Sequence, residues 1–241
     1  MLSLLLLLIA AGGTPSPSEV AEAAAEVLAK KARQAEGAAK PIAIQRALDA
    51  YAALVREFRK DRKRHPRLRR CRASLLRHAE RLPEALAEHD AILAGRARRA
   101  DQARALYDGA KLLRRLGRHE EAIKRLSRAI ERYSDATRTR ARASRLRGSI
   151  QEHLGRLRDA ERSYRFVAEK CRFEEKEAIA AHDALALLAL RNGDRRRANR
   201  WLNACLRTYG GRAAKKDKKG AFLSRQLAAM KAPSALAAAD P

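Results

Sequence analysis

An internal repeat with a step of thirty-seven or thirty-eight positions restricts the folds that are open to this chain. The segment from Leu116 to Ile123 recurs from Leu154 to Glu161 and again from Asn192 to Asn199, so the same longer step separates each copy from the next. One alanine keeps its place in every copy, and two more follow when the step is continued towards the N-terminus. The five alanines are Ala47, Ala85, Ala122, Ala160 and Ala198. A step of this length predicts one structural unit stacked several times.

Three further positions of the repeat also keep their character. Small residues stand twelve positions before the alanines, at Ala35, Ala73, Ala110, Gly148 and Ala186. Mostly apolar residues stand four positions after them, at Tyr51, His89, Leu126, Tyr164 and Leu202. The positions seven after are Leu54, Ile92, Ala129, Val167 and Cys205. Offsets of four and seven share one helical face, so each unit is predicted to bury one face of its second helix against a closely approaching first helix.

A turn is predicted between the two helices of each unit. Gly117, Gly155 and Gly193 stand five positions before their alanines, where a tight turn often requires positive φ. In the first two units Ile42 and Glu80 hold that position, and Pro41 and Pro83 mark the start of the second helix. The composition agrees with helix, because Ala, Leu, Arg and Glu dominate and aromatics make up only 4%. We therefore expect an all-α fold.

These repeat positions resemble the tetratricopeptide repeat family, over residues 20–211. The resemblance implies a right-handed α-solenoid of helix-turn-helix units, whose first helices line a concave surface that binds peptides or partner helices. This chain departs from the family pattern in a period longer than the typical ~34 residues. It also lacks the aromatic near the start of the first helix and the proline that usually closes each unit.

The ends of the chain are predicted to differ from its centre. Residues 1–13 are almost wholly apolar and then small, which is typical of a signal peptide and too short to span a bilayer. We expect export to the periplasm or beyond, with an N-terminal anchor or a cytoplasmic location as alternatives, since no basic residue opens the segment. Residues 14–19 are predicted as a linker, 212–231 as a basic hinge and capping helix, and 232–241 as a disordered tail.

The formal charge of +26 indicates an anionic partner, although arginine enrichment through codon bias would also produce it. Residues on the unused face of the first helices predict a basic groove. They are Arg67, Arg70 and Arg77, then Arg104, Tyr107, Lys111 and Arg114, then Arg142 and Arg145. An acidic or carboxylate-bearing protein segment would complement them, with nucleic acid as the alternative partner through basic runs such as Arg59–Arg64. In the fifth unit the same face turns apolar at Leu187 and Leu190.

The sequence contains no pattern that indicates an enzyme. Its six histidines form no recognisable ligand spacing, and no P-loop, GxGxxG or GxSxG motif is present. Cys71, Cys171 and Cys205 show no CxxC pair and no zinc spacing, so no metal or other cofactor and no small-molecule substrate is predicted. Pairing of Cys171 with Cys205 stays open, as does the oligomeric state. We expect a non-catalytic scaffold.

Overall fold

The structure is a computed structural model that describes residues 16–213, with side chains through residue 210. Over this range the chain is all-α and contains no strand, as predicted. The helices are α1 (Pro17–Gln34), α2 (Ala39–Glu57), α3 (Arg64–His78), α4 (Leu82–Ala94), α5 (Arg99–Arg115), α6 (His119–Arg132), α7 (Thr137–His153), α8 (Leu157–Lys170), α9 (Glu175–Arg191) and α10 (Arg195–Ala213). Each successive pair is one repeat, which confirms the five predicted helix-turn-helix units.

Burial follows the repeat that organises the sequence. All five repeat alanines are completely buried. The residues four and seven positions after each alanine are also buried in every repeat, including His89 and Cys205. One face of each second helix is therefore apolar and covered, and this periodic burial stabilises elements that would be marginal as isolated helices.

The turns inside the repeats use left-handed backbone at matching positions. Gly117, Gly155 and Gly193 have φ between 73° and 74°. Glu80 stands at the same position in the second repeat and adopts φ of 58°, although it carries a Cβ. The repeat geometry thus holds a glutamate in a backbone conformation that favours glycine.

The first repeat departs from the prediction. Ile42 is not at a turn but lies exposed in α2, and the turn is made by Gly37, with φ of 55°. Ala35 is likewise not in a helix crossing, because α1 has already ended and Ala35 is its extended C-cap. The buried small residue in this part of α1 is Ala32 instead. The earlier turn shifts the crossing towards the N-terminus.

The described chain divides into two compact units, one through Arg125 and the other from Leu126. In the first unit, helices α1 to α5 pack consecutively, and α1 also contacts α3. In the second, α7 to α10 pack consecutively, and α7 also contacts α9. First helices of neighbouring repeats therefore lie side by side within each unit, which places their outward faces on a common surface.

At both ends of the described chain the helices extend into segments that were predicted as linker or hinge. Helix α1 begins at Pro17, inside the predicted linker, because Ser16 and Glu19 form a capping box at its start. Helix α10 continues through Gly210 and Gly211 to Ala213, so the first residues of the predicted hinge are helical. The predicted signal peptide, capping helix and tail lie outside the described residues, apart from this overlap.

Candidate partner-binding surface

The second repeat contributes Arg67, Arg70 and Arg77, all on α3, to the predicted groove. Arg67 is half-exposed and pairs with two carboxylates of α1, at 2.8 Å from Glu26 and 3.4 Å from Glu22. Arg77 is exposed near the end of α3 and has no ion pair with any described residue. Of these two arginines, only Arg77 keeps its charge uncompensated.

Arg70 is largely buried and joins two repeats. Its Nη1 lies 2.5 Å from Oδ1 of Asp101 on α5, and Asp101 also accepts from Arg98 at 2.8 Å. Burial alone would raise the pKa of Asp101, but the hydrogen bonds from the two arginines outweigh it and hold this pKa below its ordinary value. The pair fixes α3 against α5 and leaves little of Arg70 for a partner.

The fourth repeat shows the same arrangement in the second unit. Arg142 and Arg145 on α7 both point to Glu177 on α9, with N–O distances of 3.5 Å and 2.5 Å. Glu177 is buried, and its two arginines are 42% and 38% exposed. These two predicted groove residues therefore act as an inter-repeat joint while still presenting part of their side chains to solvent.

The third repeat carries the most accessible part of the predicted groove. Arg104 is 62% exposed and has a single weak pairing, with Asp108 at 3.7 Å one helical turn away. Arg114 is exposed without an ion pair to any described residue. The Nζ atom of Lys111 lies 5.7 Å from the centre of the Tyr107 ring, which is a cation–π contact. Helix α5 therefore offers three cations and an aromatic ring on one face.

The arginines of the groove were predicted from the sequence, but the buried carboxylates that neutralise some of them were not. A signal was present, because Asp101 and Glu177 share one repeat position, twenty-one places before the core alanines Ala122 and Ala198. Their arginine partners Arg70 and Arg145 share another, fifteen places before the core alanines of the second and fourth repeats. A charge pair that recurs at fixed repeat positions predicts a joint between first helices.

Several buried titratable side chains lie in surroundings that disfavour their charged forms. His89 and His182 are buried, and desolvation lowers the pKa of each, to about 4 for His89. Cys171 and Cys205 are free thiols in separate apolar clusters, and burial raises the pKa of Cys205 to about 12. Such thiols are poor nucleophiles.

Within residues 16–213 no group of His, Cys, Asp and Glu side chains is arranged to hold a metal ion. None of the helices in that range combines the length and apolarity needed to span a bilayer.

No family model matches the sequence, and no curated protein does. Several solved structures do match this chain. A kinesin light chain with nearly identical TPR-like repeats from Podosopora anserina aligns with a TM-score of 0.57, covering 84% of this chain and 99% of that one at 16% identity. This chain has the tetratricopeptide-repeat fold. The crystal structure of MamA aligns with a TM-score of 0.54, over 75% of this chain and 99% of that one, and BtubC (BKLC) from P. vanneervenii with 0.55, over 85% and 94%, both at 16% identity.

Proposed function

We propose that this tetratricopeptide-fold chain is a non-catalytic scaffold whose basic first-helix surface binds an acidic segment of a partner protein. The observation that carries the proposal is the face of α5, where Arg104, Lys111 and Arg114 keep their charges accessible beside Tyr107. Arg77 on the neighbouring first helix extends this surface. The remaining predicted groove residues, Arg67, Arg70, Arg142 and Arg145, hold repeats together and play a smaller part in binding.

The spacing of the cations on α5 suits an extended acidic segment. Seven positions separate Arg104 from Lys111, which corresponds to about 10 Å along a helix. Three residues of a polyproline II chain rise about 9 Å and bring the third side chain back to the same side, so carboxylates three positions apart on such a chain would meet successive cations. Arginine holds a carboxylate through two parallel hydrogen bonds, and the Tyr107 ring offers contact area for an apolar neighbour.

The proposed place of action is the cell envelope, on the strength of the apolar segment at residues 1–13. Mass spectrometry of the protein purified from its native source would test this by locating the mature N-terminus. A terminus within the first few residues after position 13 supports export. A mature chain that still starts at Met1 would overturn the cleaved-leader part of the proposal.

The binding surface is tested by affinity capture from native extract with a variant that carries Arg104→Glu, Lys111→Glu and Arg114→Glu. A matched control carries Lys124→Glu, Arg128→Glu and Arg158→Glu, which reverse three exposed cations of second helices. We expect the first variant to lose a specific partner that the control retains. Equal loss from both variants, or unchanged partners in both, would reject the α5 surface as the site.

Nuclease treatment of the same extract separates the alternative partner expected from the sequence. A captured protein that survives digestion of nucleic acid supports direct protein binding. Partners that all disappear on digestion would replace the proposal by nucleic-acid binding, with an affinity that falls steeply between about 50 and 200 mM salt.

A further inference from the structure

A pocket of about 930 Å³ lies where two successive inter-repeat loops of the first unit meet. The loops connect α2 to α3, at residues 58–63, and α4 to α5, at residues 95–98. The pocket lies at the ends of the helices and is separate from the first-helix surface described above. Its volume falls within the range of about 300–1,000 Å³ that small-molecule sites occupy.

The rim of the pocket concentrates cations that have no carboxylate partner among the described residues. All five are exposed and have no ion pair with any described residue: Arg56, Arg59, Lys60, Arg62 and Arg96. This differs from the first helices, where Arg70 and Arg145 are neutralised by buried carboxylates. The surplus of positive charge is therefore available to a ligand.

The negative groups at the pocket offset only part of this charge. Two carboxylates line it, Glu57 and Asp61. Asp61 accepts from the backbone N–H groups of Lys63 at 2.7 Å and Arg64 at 2.8 Å, and these bonds lower the pKa of Asp61. The C-terminal ends of α2 and α4 contribute roughly half a negative charge each. Five cations against two carboxylates and two helix C-terminal ends, with roughly half a positive charge from the N-terminal end of α3, leave a net charge of about +2.5.

Several groups of the pocket are already held in place. Arg62 donates from Nε to the carbonyl oxygen of Arg96 at 3.1 Å, which ties the two loops together. The His65 ring lines the pocket and accepts from Arg69 at its Nε2, at 3.0 Å. Because Nε2 accepts this hydrogen bond, Nδ1 is the ring nitrogen that can donate to a ligand, and burial and then the Arg69 charge lower the pKa of His65. Binding thus requires less ordering than on a freely mobile surface.

The inner wall of the pocket is apolar. Pro66 and Ile92 are both buried residues that contribute to its lining, together with Ala97. A purely inorganic anion would leave this wall without a contact. An organic group attached to the anion would cover the part of this wall that is still exposed, at Ala97, which adds to the electrostatic attraction.

We propose that this pocket binds a phosphorylated small molecule, an organic anion that carries two or more phosphate charges. A phosphate monoester concentrates up to about two negative charges on one group, which matches the net charge of the pocket, whereas a carboxylate supplies one. Four of the five cations are arginines, whose planar fork pairs with phosphate oxygens through two hydrogen bonds. The site and its ligand go beyond the proposed scaffold function and do not depend on it.

The test is isothermal titration calorimetry of the full chain at about 150 mM salt, where long-range attraction is screened. The probes are adenosine triphosphate and inorganic tripolyphosphate. We expect one nucleotide per chain, and weaker binding of tripolyphosphate because it lacks an organic group for the apolar wall. A variant carrying Arg59→Gln, Lys60→Gln and Arg96→Gln is expected to bind the nucleotide at least about tenfold more weakly.

The matched control carries Arg104→Gln, Lys111→Gln and Arg114→Gln, which remove the same charge from the α5 surface. It should bind the nucleotide like the wild type while losing the partner protein, so the two proposals fail separately. Circular dichroism establishes that both variants keep their helices. Absent binding, or equal weakening in both variants, would overturn the pocket. Tighter binding of hexaglutamate or of a single-stranded oligonucleotide at the pocket cations would overturn the phosphorylated small molecule as its ligand.

Discussion

Arg145 of α7 donates from Nε to Oε2 of Glu177 on α9, at 2.5 Å, and so joins the first helices of the fourth and fifth repeats. Arg70 and Asp101 make the equivalent pair between the second and third repeats. Glu177 and Asp101 are both buried. In a solenoid each repeat is stabilised by its neighbours, so these pairs contribute to the interface on which cooperative folding depends.

Replacing Glu177 by Gln should destabilise the second unit. The substitution keeps the shape of the side chain but leaves Arg142 and Arg145 without their counter-charge. Loss of a fully buried partner costs several kcal/mol, and the partial exposure of both arginines reduces the expected cost to about 2 kcal/mol. Urea unfolding measures it. Glu121→Gln is the control, because Glu121 pairs with Arg118 at an exposed site and its loss should leave the stability nearly unchanged. Equal losses of stability in the Glu177→Gln and Glu121→Gln variants would contradict the role assigned to the burial of Glu177.

Gly148 lies against the ring of Tyr164, and a Cβ at this glycine would come within 2.7 Å of the ring. Gly148→Ala should therefore cost about 1–3 kcal/mol through overpacking. The fifth repeat holds Ala186 and Leu202 at the same two positions, both buried in one apolar cluster. The double variant Gly148→Ala with Tyr164→Leu should thus be more stable than the sum of the single effects by at least about 1 kcal/mol. Strict additivity in denaturant unfolding would refute the steric explanation.

The left-handed turns offer a paired test of backbone strain. Gly117→Ala should destabilise by about 1 kcal/mol, because φ of 74° is unfavourable for a residue with a Cβ. Glu80→Gly should stabilise by a few tenths of a kcal/mol, since relief at φ of 58° is partly offset by the greater freedom of glycine in the unfolded chain. The exposed pair between Glu80 and Arg115 contributes little to the balance. A neutral Gly117→Ala variant would speak against this account of the turns.

His89 should make stability depend on pH. Burial lowers its pKa from 6.5 to about 4 in the folded chain, so between these values the unfolded chain binds more protons. The contribution of His89 to the free energy of unfolding is fully present well above pH 6.5. It falls as the pH is lowered through this window, by about 2 kcal/mol between pH 7.5 and 5. His89→Leu places at this position the residue found at Leu126 and Leu202, and should remove most of the dependence. The lowered pKa values of His65 and His182 leave a residual slope of the same sign. Urea unfolding at the two pH values decides the matter, and an unchanged slope in the variant would exclude His89 as the source.

The core positions were predictable from the sequence, whereas the first turn and the accessibility of the groove were not. The core positions were predictable because offsets of four and seven positions lie on one helical face, whatever the rest of the chain does. The first turn was predicted at Ile42 and lies at Gly37, since the strict step of the repeat was extended into a repeat whose turn comes earlier. The groove was predicted from helical faces alone, so Arg70 and Arg114 received the same role, although one is engaged by Asp101 and the other is exposed.

Local sequence is sufficient to predict the all-α class, the five helix-turn-helix repeats and the left-handed glycines at three of their turns. These features depend on local backbone preference and on the helical period, both of which are written in short stretches of sequence. Which cations are neutralised depends instead on the packing of different repeats against each other. Arg70 and Asp101 are 31 residues apart, and Arg145 and Glu177 are 32 apart. The loops at 58–63 and 95–98 likewise line one pocket only because the fold brings them together. Such pairing depends on distances between side chains of different repeats, which folding alone establishes.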